Sequence, residues 1–315
     1  FKAVIENEST VGAYQAGAYQ AMVLHVLQAL QRLERAAERK PADRRGVPPS
    51  IIVKLTKEAF ALCHRGGADE GSQTWSHFQI SRLFKEYRIE SKRENKIDLE
   101  APIANLVHVF HSCASSDRTT LRLANGRDGR PVLGFEFSLT GHVADHRVEQ
   151  EVPVRVIPEP EAGLISEPAL PEPEYQIELQ SLQRLKNVMD KMRAVGAQHV
   201  EVEAAREQDR LMSDGNNGST SKAWLRLIAE AEVVSIASTF PSLVLVMEGK
   251  QNPPPDGPVK LILSLRRLGE VLAAFLQVNA EAYIACILEN RALVLYALLP
   301  QSLGSFISYT PAVTL

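Results

Sequence analysis

The segment from Pro153 to Glu174 restricts the fold of this chain more than any other, because it holds six prolines. Proline fixes φ and has no amide proton, so neither a long helix nor a central strand can run through this segment. Proline-rich segments stay extended and semi-rigid. The segment lies close to the midpoint of the chain and predicts a stiff connection between two halves. We call residues 153–174 the strap.

A chain of 315 residues predicts about two domains, each large enough for its own core. With 45% hydrophobic and 23% charged residues, the composition is that of an ordinary globular protein. With a net charge of −3, the chain as a whole lacks the positive charge that is typical of nucleic-acid-binding proteins, so any basic surface must be local. Three widely spaced cysteines indicate a reducing compartment and no disulfide framework.

The two halves repeat one order of predicted elements: a strand, a helix, several strands, a second helix and further strands. Apolar residues at helical spacing predict the helices, and alternating β-branched residues predict the strands. The predicted helices cover residues 22–33 and 102–115 in the first half, and 181–195 and 265–277 in the second. The predicted strands include 84–90, 210–213 and 223–236, the last one bent or split. An internal duplication of an α+β unit is the simplest account of this order.

No motif of a common enzyme class is present: the chain lacks a P-loop, a GxGxxG fingerprint and a GxSxG elbow. His108 and His111 lie three residues apart on a predicted helix, with Cys113 close by. A metal site there is one interpretation, but Cys113 falls off the face that carries the histidines. A metal-dependent enzyme using His108, His111 and His146 stays open as an alternative of another class.

Basic residues project from three of the four predicted helices. On the 181–195 helix they flank an apolar stripe, and the 102–115 helix has almost none. A solvated helix face explains one such helix, whereas three helices together indicate a shared positive surface that follows phosphates without reading base sequence. The candidate nucleic-acid-binding residues are Arg32, Arg35, Arg184, Lys186, Lys191, Arg193, Arg266 and Arg267.

Segments around the strap resemble a known family. They are Val152–Pro158 before its centre, Glu167–Pro173 within it, and the helix segment Leu185–Met192 after it. Weaker support comes from Trp75, Leu83–Phe84 and Lys96–Leu99. Through these residues the chain resembles the Hus-one subunits of the nine-one-one checkpoint clamp, which are relatives of the PCNA sliding clamps, and the resemblance spans essentially the whole chain.

The resemblance implies a non-catalytic subunit without a cofactor, built from two tandem α+β domains of the sliding-clamp type. Helices would line the inner face of a ring around double-stranded DNA, and antiparallel sheets would form its outside. The partners would be Rad-nine-like and Rad-one-like subunits and a clamp loader. No membrane association would be expected. The protein would act in the nucleus in the DNA damage checkpoint and recruit checkpoint and repair factors. The expected domains are 1–152 and 175–315, joined by the strap at 153–174.

A sheet that ends in an unpaired strand favours pairing with another chain. We therefore expect residues 147–155 to contact one neighbouring subunit and a strand within 223–234 to contact the other. The candidate interface residues are Val148, Gln150, Val152, Leu225, Leu227 and Glu230. A homotrimeric replication clamp is the alternative within the same fold. Compared with the family, the loops at 36–49, 214–221 and 249–258 are expanded, and the apolar residues 163–166 of the strap are the expected place of docking to the body or to a client.

Overall fold

The computed structural model groups the chain into two compact units. The first contains Phe1–Glu167, Gln277–Asn279 and Leu299–Phe306, and the second contains Pro168–Leu276, Ala280–Leu298 and Ile307–Leu315. The residues that the structure describes are 1–6, 18–37, 48–66, 71–139, 146–207, 222–246, 255 and 257–314. Within these ranges, every helix falls short of the length and apolar character that a bilayer-spanning helix requires. The expanded loops expected at 36–49, 214–221 and 249–258 lie largely outside the described residues.

The first unit is built from antiparallel strands and two long helices. Its elements are β1 Lys2–Glu6, α1 Ala18–Ala36, β2 Ser50–Leu55, β3 Ala59–Arg65, β4 Gln73–Gln79, α2 Ile80–Leu83, β5 Glu86–Arg88, β6 Ile97–Pro102, α3 Ile103–Cys113, β7 Arg118–Asn125, β8 Pro131–Leu139, β9 His146–Pro153, β10 Arg155–Val156 and α4 Glu159–Ala162. One sheet has the strand order β5-β1-β7-β8-β9, and β10-β6-β2-β3-β4 are neighbours in another.

The second unit has the same plan. Its elements are β11 Tyr175–Glu178, α5 Leu182–Ala194, β12 His199–Arg206, β13 Lys222–Glu230, β14 Ser235–Leu245, β15 Val259–Ser264, α6 Leu265–Phe275, β16 Ala282–Leu288, β17 Ala292–Leu299 and β18 Gly304–Pro311. The end of β17 and the first residues of β18 group with the first unit. Here the strands follow the order β18-β17-β16-β11-β14-β13-β12-β15.

Strand pairing repeats as well as element order. In the first unit β1 pairs with β7 and β2 pairs with both β3 and β6. In the second, β11 pairs with β16 and β12 pairs with both β13 and β15. The predicted α+β class, the antiparallel sheets and the internal duplication are therefore confirmed.

Each long helix buries one apolar stripe, as the sequence spacing predicts. Val26, Leu27 and Leu30 of α1 are fully buried or nearly so, and the buried residues of α5 are Leu182, Leu185, Met189 and Met192. In each unit the two long helices pack against one another, α1 against α3 and α5 against α6. The helices α5 and α6 begin at serine caps, where Ser181 and Ser264 accept the backbone amides of Arg184 and Arg267.

The strap forms two short regular elements in its first half. The two-residue strand β10 pairs with β6 as an edge strand, and α4 is one turn with Pro160 in its first turn. Residues up to Glu167 group with the first unit and residues from Pro168 with the second. The expectation that no long helix or central strand occupies the strap is confirmed.

Two strand predictions differ from the structure in their bounds. The strand predicted as bent or split at 223–236 is split: β13 ends at Glu230, and a tight turn, in which Ala231 N donates to Val234 O over 2.9 Å, leads into β14. Residues 84–90 contain strand structure only at β5, after the short helix α2. The strand predicted at 210–213 lies outside the described residues.

Candidate nucleic-acid and subunit interfaces

On α1 the two candidate arginines face solvent. Arg32 and Arg35 are exposed, while Leu30 and Leu33 on the opposite side are buried. Neither arginine forms an ion pair with another described residue. The neighbouring helix α3 contains no lysine or arginine and exposes His108 and His111. In the first unit, α1 therefore supplies the permanent positive charge of the helical layer.

Helix α5 carries the largest set of candidate cations. Arg184, Lys191 and Arg193 are exposed and form no ion pair within the described part of the chain. Lys186 differs, because its ammonium lies 2.5 Å from Asp190 Oδ1, one turn further along the helix. This pairing offsets the charge of Lys186 and makes it the weakest of the four candidates for a phosphate contact.

The two arginines of helix α6 are less exposed than Arg184, Lys191 and Arg193 of α5. Arg266 and Arg267 are both half-buried, and Arg266 Nη1 lies 3.9 Å from Glu270 Oε1. Both arginines lie in the first turn, where the partial positive charge of the helix terminus disfavours a cation. The structure thus places α5 and α6 side by side, with the more available cations on α5.

Each unit has a strand with an open edge among the described residues. In the first unit β9 pairs with β8 and ends the sheet. In the second, residues 235–240 of β14 pair with β13, whereas β11 pairs with β14 at Val244 and Leu245 alone. The predicted residues Val148, Gln150 and Val152 all lie on β9.

The prediction that the strand now seen as β13 has an open edge is wrong. Leu227 is paired with Val202 of β12 on one side and with Ser238 of β14 on the other. A strand paired on both sides has no backbone groups left to pair with a neighbour. As residues of an open edge, Leu225, Leu227 and Glu230 are therefore replaced by Ile236, Ser238 and Phe240 of β14, because the open edge lies after the turn at 231–234.

The second half of the strap borders a groove in the second unit. Its volume is about 350 Å³. The lining residues are Pro168, Leu170, Pro171, Pro173, Gln176, Ile284, Cys286, Leu288, Val294, Tyr296, Leu298 and Tyr309. Apolar grooves of this size are typical of binding sites for extended peptides or small ligands.

The metal interpretation gains no support in the described ranges. His108 and His111 are exposed on α3, and Cys113, the last residue of the same helix, is fully buried. No group of three or more His, Cys, Asp or Glu side chains in the described residues is placed to hold a metal ion. His146 begins β9, and its side chain lies outside what the structure describes.

Comparison with protein-family models shows which family this chain matches. The family model described as Hus1-like protein matches residues 45–314. The chain belongs to the Hus1-like protein family. Checkpoint protein hus1 of Schizosaccharomyces pombe is 28% identical over 230 residues, which cover 71% of this chain and 76% of that protein. Checkpoint protein HUS1 of Homo sapiens is 25% identical over 249 residues, which cover 77% of this chain and 82% of that protein.

The fold also matches a solved clamp. A crystal structure of a PCNA2–PCNA3 complex from Sulfolobus tokodaii has a TM-score of 0.59 and 12% identity, and the match covers 99% of each chain. The predicted tandem PCNA-like fold and the resemblance to Hus-one subunits are confirmed. As a Hus1-like protein of this fold, the chain is a checkpoint-clamp subunit of the DNA damage response.

Proposed function

We propose that this chain is one non-catalytic subunit of a heterotrimeric ring that encircles duplex DNA in the nucleus. Rad-nine-like and Rad-one-like subunits complete the ring, and a clamp loader places it on DNA at damage sites. The strap at 153–174 joins the domains 1–152 and 175–315. The observation that carries this proposal is the pair of open strand edges, one in each unit of a Hus1-like chain.

The edges suit assembly by strand addition. An unpaired edge presents a row of amide and carbonyl groups that another chain can satisfy. We place one contact on β9, with Val148, Gln150 and Val152, and the other on residues 235–240 of β14. Because the two edges belong to different units of one chain, each subunit can contact two neighbours, as a closed ring requires.

The helices supply the contact with DNA. Arg32 and Arg35 of α1 and Lys191 and Arg193 of α5 are the exposed cations that we place against phosphates. Lys186, Arg266 and Arg267 contribute less, because acidic neighbours or partial burial hold them. Contacts of this kind give sequence-independent, salt-sensitive retention.

The strap-lined groove in the second unit supports the recruiting role. Leucine, proline and tyrosine side chains form most of its wall, and a client checkpoint or repair protein would place an extended apolar segment there.

Co-expression with the two candidate partner subunits tests the proposal. We expect a complex whose native mass equals one copy of each of the three chains, and no ring when this chain is expressed alone. A ring formed by this chain alone would support the homotrimeric replication clamp instead. A chain that stays monomeric with both partners at micromolar concentration would refute the proposal.

A further inference from the structure

A cavity lies between the start of α5 and the strands β13 and β14. Its volume is about 100 Å³, and its lining includes the buried residues Leu179, Leu185, Leu225 and Leu243. The cavity reaches the surface, because Gln180, Arg184 and Pro241 at its rim are exposed. An apolar cavity of about 150 Å³ holds a benzene molecule, so a somewhat smaller one suits a branched aliphatic side chain.

The cavity adjoins the open edge of β14. Phe240 lines it and belongs to the open part of that strand. Ile236, Ser238 and Phe240 alternate along one side of the strand and are half-buried. A strand added to this edge would therefore bring every second side chain alongside this half-apolar row and past the cavity.

Arg184 stands at the rim of the cavity, on the flank of α5 that faces the open edge. It is exposed and forms no ion pair with another described residue. Helical spacing places Val188, Lys191 and Val195 on the same flank, and Val195 is 40% exposed. This flank is basic and apolar, so its complement is apolar and acidic.

At its other open edge the chain itself carries the apolar part of that complement, Val148 and Val152. The carboxylates of that strand, Glu149 and Glu151, alternate onto the side of β9 that faces away from α3.

The helix beside β9 is α3, where Gln150 Nε2 lies 3.5 Å from Ser112 Oγ. Helix α3 contains no aspartate or glutamate, and His108 and His111 are its exposed ionisable groups. In a ring made of copies of this chain, Arg184 would face a helix without a carboxylate.

We propose that the face formed by α5 and β14 selects a different clamp subunit. That subunit's edge strand places an aliphatic side chain in the cavity, and its adjacent helix presents a carboxylate to Arg184. The inference rests on the proposed function and deepens it. It also moves Arg184 from the nucleic-acid contacts to the subunit interface, and it gives a physical reason for a mixed ring.

The test compares two charge reversals on one helix. Arg184→Glu changes the interface flank, and Arg193→Glu is the matched control, since both arginines are exposed on α5 and form no ion pair within the described residues. Each variant is titrated with the purified Rad-nine-like and Rad-one-like subunits in the absence of DNA, so that the proposed phosphate contact of Arg193 does not enter, and affinities are measured by sedimentation. We expect Arg184→Glu to weaken binding of one subunit at least tenfold and Arg193→Glu to change both affinities less than threefold.

A second measurement keeps the inference testable if the reversal disturbs folding. Arg184→Lys supplies an amine that a carbodiimide couples to a carboxylate in direct contact, and mass spectrometry then identifies the linked residue. We expect a link to a glutamate or aspartate on a helix of the partner. Absence of that link, or equal affinities for Arg184→Glu and Arg193→Glu, overturns the inference while leaving the proposed ring intact. A wild-type chain that binds neither subunit overturns both.

Discussion

The ammonium group of Lys54 donates a hydrogen bond of 2.7 Å to the carbonyl oxygen of Ile165. The same nitrogen lies 3.4 Å from Asp98 Oδ1 and 5.9 Å from the centre of the Trp75 ring. Ile165 is 5% exposed, whereas the preceding Leu164 is 75% exposed. The apolar break in the strap is therefore docked on the first unit through Ile165, as expected for residues 163–166.

Substitution of these two neighbours should separate docking from surface exposure. Ile165→Ala removes a buried side chain, and we expect a loss of about 2 kcal/mol or more in the free energy of unfolding of the first unit. Leu164→Ala is the matched control and should change it by less than about 0.5 kcal/mol. Urea unfolding measures both values. Equal losses for the two variants would show that Ile165 does not anchor the strap.

A second anchor joins Arg155 to Glu161 within the strap. Arg155 Nη1 and Nη2 donate to the two Glu161 oxygens over 2.8 and 2.7 Å, and Arg155 Nε donates to Glu100. The hydrogen bonds from Arg155 lower the pKa of Glu161 below its ordinary value, and those to Glu161 and then Glu100 raise the pKa of Arg155.

Because the pKa of Glu161 is lower in the folded chain, its contribution to stability is present above the ordinary glutamate pKa. It is lost as pH falls through the folded value. We expect NMR titration of the Glu161 carboxyl to give a midpoint below that of a free glutamate, and Arg155→Met to move it upward. A midpoint that Arg155→Met leaves unchanged would exclude the pairing in solution.

The sequence predicts the repeated framework because that framework depends on local patterns. The stripe of α1 at Val26, Leu27 and Leu30 and the caps at Ser181 and Ser264 need no tertiary information. The position of the turn at 231–234 could not be predicted for a physical reason: Ala-Glu-Val-Val contains no glycine, proline or asparagine, and Val233 is 94% exposed. The predicted edge residues therefore lie on β13, before the turn.

The sequence predicts which residues of the candidate site leave the apolar core, but it does not predict which neighbours they contact. The spacing on α5 shows which residues leave the apolar stripe, and the structure confirms that Arg184, Lys191 and Arg193 are exposed. Spacing cannot show that Arg184 borders a cavity or that Asp190 holds Lys186, since these depend on neighbouring strands and on rotamers. Gly304 is a similar case: with φ of +154°, any Cβ there would overlap the carbonyl oxygen of His77, a contact invisible in sequence.

The cations of α1 and α5 should contribute to DNA retention by different amounts. We expect Arg193→Gln and Arg32→Gln each to lower the dependence of log K on log salt by about one unit in the assembled ring, since each removes one phosphate contact. Lys186→Gln is the matched control and should change it much less, because Asp190 already offsets that charge. Binding to duplex DNA at several salt concentrations measures the slopes, and equal slopes for all three variants would exclude these contacts.

Two buried cysteines should be unreactive in the folded chain. Burial raises the pKa of Cys63 to about 12 and that of Cys113 to about 11. At pH 8 both remain thiols, and the thiolate is the form that iodoacetamide alkylates. We expect mass spectrometry to find these two residues unmodified in native protein and fully modified in urea. Rapid native labelling of Cys63 would mean that β3 opens readily.

Substitution of Gln150 on β9 should separate an effect on subunit binding from an effect on folding. The Oε1 atom of Gln150 is buried and accepts no hydrogen bond from the described residues, although its Nε2 lies 3.5 Å from Ser112 Oγ. An unsatisfied buried acceptor costs about 1–3 kcal/mol, so Gln150→Leu should leave the free energy of unfolding of the isolated chain unchanged or raise it. A neighbouring subunit that supplies a donor would bind this variant more weakly. We therefore expect unchanged or higher stability by urea unfolding together with weaker binding to one partner by sedimentation, and a variant that loses stability but keeps both affinities would place Gln150 in the fold alone.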